Sequence, residues 1–79
     1  MQSGNIDHTA HLLGHYLAER TFGRLVRNDN DLPPEWPGSI DDARRIAAEF
    51  ADPDECDTLA ERVQGQAEVA WVQLRAASR

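Results

Sequence analysis

The chain has 79 residues, a net charge of −6 and one cysteine. At this length it is expected to form a single domain, residues 1–79, burying only about 60–65% of its unfolded surface, so its core must be lean unless a second copy completes it. A lone cysteine excludes an internal disulfide and suits a reducing, cytoplasmic setting; the absence of a basic-then-apolar leader or of a membrane-length apolar run disfavours secretion and membrane insertion.

The first helix is expected from Asn5 to about Arg27, with Asn5 or Asp7 as N-cap and Asn28-Asp29-Asn30-Asp31 as the breaker. Ile6, Ala10, Leu13 and Leu17 form its apolar stripe, widened by Leu12 and Tyr16. Beyond Arg20, Phe22, Leu25 and Val26 fall on another side of the helical wheel, so the helix either bends near Gly23 or serves two partners.

All three histidines lie in this segment. His8, His11 and His15, with Glu19 one turn later, stack at three- and four-residue steps, a spacing that can direct imidazoles at one zinc or nickel ion. The glutamate that follows the first histidine in a zinc-protease helix is missing, and no distant ligand pair completes a tetrahedron, so a solvated helix face explains the stripe more simply, and a subunit interface next. Arg20, Arg24 and Arg27 form a second stripe. Without a helix-turn-helix pairing or interleaved aromatics, it reads as a partner for carboxylates on a neighbouring helix rather than as a phosphate ridge.

Three prolines make Leu32–Gly38 a semi-rigid connector. Pro34-Glu35-Trp36-Pro37 has P-x-x-P spacing, yet a tryptophan between prolines is better used folding back over a small core than waiting for a recognition groove. Ser39 then begins a short helix to about Ala51 as N-cap, with Asp42 at N3. Ile40, Ala43, Ile46, Ala47 and Phe50 share its inward face.

Asp52 is the expected N-cap of the last helix, with Pro53 at N1 and Glu55 reaching back from N3. Cys56, Leu59, Ala60, Val63, Ala67, Ala70, Trp71, Leu74 and Ala77 form its packed stripe, while Gly65 lies off it. Acidic neighbours oppose ionisation of Cys56, which reads as core.

No strand-like alternation or repeat appears. The expected fold is all-α, a small three-helix bundle of long helix, Pro-rich loop, short helix and long helix, with the two long helices as an antiparallel pair.

Charge is unevenly placed. Asp29 to Asp57 holds ten carboxylates against Arg44 and Arg45, a net −8, and each flank carries +1. This acidic pole disfavours nucleic-acid binding. With no convincing nucleophile–base pair and no glycine-rich phosphate loop, catalysis is not expected. The leading expectation is a non-enzymatic protein-interaction module of the accessory, regulatory or inhibitor type, acting as a homodimer. Its interaction surface would comprise Phe22, Val26, Trp36, Val69 and Val72, apolar residues off the main stripes. One alternative is zinc or nickel binding by His8, His11, His15 and Glu19. A second makes the patch of Glu35, Asp41, Asp42, Asp54 and Glu55 a nucleic-acid mimic that blocks a basic partner.

Overall fold

Helix α1 spans Ser3–Arg27, α2 Ile40–Ala47 and α3 Pro53–Ala77 in a computed structural model that describes residues 3–78, with side chains from Ile6 to Ser78. Among these residues there is no strand, and the molecule is a small all-α three-helix bundle, as the periodicity implies.

Helix α1 starts earlier than expected. Asn5 and Asp7 lie inside it, so neither caps it, and Asp7 instead pairs with Arg62 of α3. Its end falls where the Asn/Asp run predicts. Asp29 takes a left-handed conformation, φ 56°, while its N–H donates to the Val26 carbonyl at 3.1 Å and that of Asn30 to the Leu25 carbonyl at 2.9 Å. This is a Schellman closure with aspartate in the position usually held by glycine.

Helix α2 opens with the expected capping box between Ser39 and Asp42, but it closes at Ala47, four residues short of expectation. The chain must reverse before Pro53, and Asp52 is held extended at φ −67°, ψ 158°. Phe50 therefore falls in the reversing turn, 60% exposed, rather than on a buried helix face. Helix α3 begins at Pro53 as anticipated, yet Asp52 makes no side-chain cap bond; the Glu55 N–H donates to the Asp52 carbonyl at 2.9 Å instead.

The expected antiparallel pairing of the long helices is not observed. Asp7 meets Arg62, His11 meets Gln66, Gly14 lies against Ala67 and Phe22 against Trp71. Both partners advance together, so α1 and α3 run parallel. Parallel neighbours need a descending connection, which the connector and α2 provide. The Pro33 carbonyl accepts from Trp71 at 2.9 Å, and the Gly38 carbonyl from Gln64 at 3.3 Å. Lower still, the Arg44 carbonyl receives the Cys56 thiol at 3.7 Å. The prolines that bar a helix here keep the segment extended, so few residues cover much of the return. Each 25-residue long helix measures about 37 Å at 1.5 Å per residue, which accounts for the 41 Å long axis.

The core is lean, and seven of its eleven buried apolar residues are alanines. Small side chains let α1 and α3 approach closely, most of all at Gly14, where an added Cβ would lie 2.9 Å from the Ala67 backbone nitrogen. Leu59 and Val63, packed with Ala10, Leu13, Ala43, Ala47 and Ala60, join the three helices. Farther along α3 the seal is aromatic: Trp71 is fully buried, with Phe22 and Trp36 edge-on to it at centroid distances of 5.9 and 5.5 Å. Ala77, placed on the α3 stripe by periodicity, is exposed near the helix end.

Candidate functional site

Helices α1 and α2 each pack on α3 but touch each other sparingly. Their separation leaves an open groove of about 590 Å³. Leu12, Leu13, Tyr16 and Leu17 form its α1 side, Ile46 of α2 and Phe50 of the following turn form the opposite side, and Trp36 contributes from the connector. Leu12, Tyr16 and Phe50 are 54%, 51% and 60% exposed, so the lining includes large apolar groups that the chain itself leaves wet. That is costly for a lean domain, at about 25 cal/mol for each Å² of apolar surface left in water.

The groove carries charge as well. Arg20 and Arg24 line it from α1, Arg45 and Asp42 from α2, and Glu49 from the turn that follows α2. Arg45 stands 3.9 Å from Asp42 across one helical turn. The ion pairs among the described residues join Arg44 to Asp41 and Asp57, Arg45 to Asp42, and Arg62 to Asp7. None engages Arg20, Arg24 or Arg27, so the expected neutralisation of that stripe by a neighbouring helix does not occur. Two arginines without carboxylate partners among the described residues thus adjoin an apolar floor.

Other candidate residues are distributed differently. His8, His11 and Glu19 are exposed on α1 and His15 is half-buried. The His11 and His15 rings lie 4.4 Å apart, tilted by 49°, and His11 Nδ1 is 3.1 Å from Gln66 Oε1. Among the described residues no three His, Cys, Asp or Glu side chains are grouped to hold one metal ion. Cys56 is half-buried against α2.

The expected interaction surface does not form one patch. Phe22 and Trp36 are turned onto Trp71, while Val26, Val69 and Val72 are 50%, 53% and 56% exposed. Trp36 also donates from Nε1 to Gln64 at 3.2 Å, which satisfies its polar edge and holds it at the groove. Glu35, Asp41, Asp42, Asp54 and Glu55 are all exposed, but Asp41 and Asp42 are engaged by arginines of their own helix.

Leu12, Tyr16 and Phe50 were expected to widen the core and instead line the groove. Helix α1 has more apolar positions than one partner can cover, and that surplus is its signal in the sequence. No helix among the described residues is long and apolar enough to cross a membrane. No family model, curated protein or solved structure matches the chain.

Proposed function

We propose that the chain is a non-catalytic protein-interaction module of the cytoplasm that accepts an acidic amphipathic helix in the α1–α2 groove and associates with itself through a separate surface. The carrying observation is the coincidence of exposed Leu12, Tyr16 and Phe50 with Arg20 and Arg24, which lack a carboxylate partner among the described residues. From Leu12 to Arg24 the groove runs about 18 Å along α1, enough for roughly three turns of a bound helix. Binding by an apolar helix face laid in such a groove is a recurring recognition mode, with tyrosine among its common anchors. Acidic side chains on the ligand would meet Arg20 and Arg24 on the α1 side of the groove, with Asp42 and Glu49 on the opposite side.

Fluorescence anisotropy with a labelled amphipathic peptide of about fifteen residues, in glutamate and lysine versions, tests the reading. The glutamate peptide should bind saturably and more tightly, and Arg20→Glu with Arg24→Glu should reverse the preference. Equal, unsaturable signals from both peptides would remove the proposal.

The adjacent imidazoles of His11 and His15 support a second reading in which zinc or nickel is held by this pair, and His8 or Glu19 would have to move in to add a third ligand. Calorimetric titration with each metal decides it: saturable heat that disappears in His11→Ala supports the site, and no heat removes it. The nucleic-acid mimic draws less support, since two of its five carboxylates already face arginines.

A further inference from the structure

Helix α3 is apolar on two opposite faces, and only one of them is used. Its core stripe runs through Leu59, Val63, Ala67 and Ala70, whereas Gly65, Val69, Val72 and Ala76 lie on the far side of the helical wheel and are all exposed. Their spacing of four, three and four residues is the seam of a coiled coil. Val69 and Val72, 53% and 56% exposed, occupy its centre. At Gly65 an added Cβ would meet nothing within 4 Å, so the backbone there is open to close approach.

We infer that this face pairs with the same face of a second copy, α3 antiparallel to α3. The inference rests on the self-association half of the reading above and adds the surface and the direction. The face is complementary to itself. Laid antiparallel about a twofold between Val69 and Val72, the stripe opposes Val69 to Val72 at the centre and Gly65 to Ala76 at both ends, large against large and small against small. The same register places Glu68 beside Arg75 of the other copy, and symmetry repeats the pair. Arg75 spends one donor on the Pro34 carbonyl at 3.3 Å and retains others for a carboxylate. A parallel pairing would set Glu68 against an uncharged glutamine, Gln73, and forgo both Glu68–Arg75 pairs. Charge therefore selects the antiparallel direction. So short a stripe gives a weak, concentration-dependent dimer rather than an obligate one.

Cysteine cross-linking reads out both partner and direction. In a Cys56→Ser background with folding verified by circular dichroism, Gly65→Cys and Ala76→Cys chains should each resist oxidative dimerisation alone and cross-link when mixed. Light scattering at high micromolar concentration should show the parent dimer. Glu68→Arg should weaken that dimer roughly three- to tenfold, and adding Arg75→Glu should restore it. Cross-linking of Gly65→Cys with itself, or a dimer insensitive to the charge exchange, overturns the antiparallel seam while leaving self-association standing. A strict monomer at high concentration overturns both.

Discussion

Trp71 donates its indole N–H to the Pro33 carbonyl at 2.9 Å, which joins the middle of the descending connector to the upper half of α3. The bond explains how an extended segment with few backbone partners of its own can replace a helix in the upper bundle. Trp71→Phe should remove the bond and leave a gap beneath Phe22 and Trp36, lowering stability by about 2–3 kcal/mol. A urea titration would show the loss as an earlier midpoint, and an unchanged midpoint would mean that the connector is held by other contacts.

Two glycines in long helices should respond in opposite directions. At Gly14 a methyl group would crowd the Ala67 backbone, so Gly14→Ala should destabilise the bundle by about 1–3 kcal/mol despite alanine's better helix propensity. At Gly65 nothing stands in the way, and Gly65→Ala should add up to about 1 kcal/mol in dilute solution. Thermal melts of the two variants provide the comparison.

The distinction between these glycines shows where the sequence is informative and where it is not. Periodicity locates all three helices, the α3 stripe and the break after Arg27, because these depend on neighbours along the chain. The parallel course of α1 and α3 is less visible: it depends on the connector remaining extended and docking on Trp71 and Gln64, a long-range outcome. Leu12 and Tyr16 carry the right periodicity for a core, yet they stay exposed because α1 packs on α3 and touches α2 only sparingly. The histidine spacing, by contrast, transfers directly into space, with His11 and His15 adjacent as their one-turn separation requires.

Asp29 closes α1 in a left-handed conformation that suits glycine better. Asp29→Gly should therefore raise stability by about 0.5–1 kcal/mol, after allowing for glycine's greater freedom in the unfolded chain. Chemical denaturation would detect this gain, and a loss would show that the aspartate side chain contributes something beyond closure.

The two helix starts offer a matched pair of caps. Ser39 accepts from the Asp42 N–H at 3.4 Å, whereas the Asp52 side chain makes no cap bond. Ser39→Ala should cost about 1 kcal/mol. Asp52→Ala should cost only a few tenths, from the lost interaction of a carboxylate with the helix dipole. Equal costs, measured by denaturant midpoint, would mean that Asp52 caps α3 in solution.

Amide-resolved NMR during titration with the acidic amphipathic peptide shows whether the α1–α2 groove is a docking surface. Docking in the groove produces saturable shifts clustered at Leu12, Tyr16, Arg20, Arg24, Ile46 and Phe50, with Val69 and Val72 undisturbed. Saturable shifts confined to the outer face of α3, or no shifts at all, would contradict it.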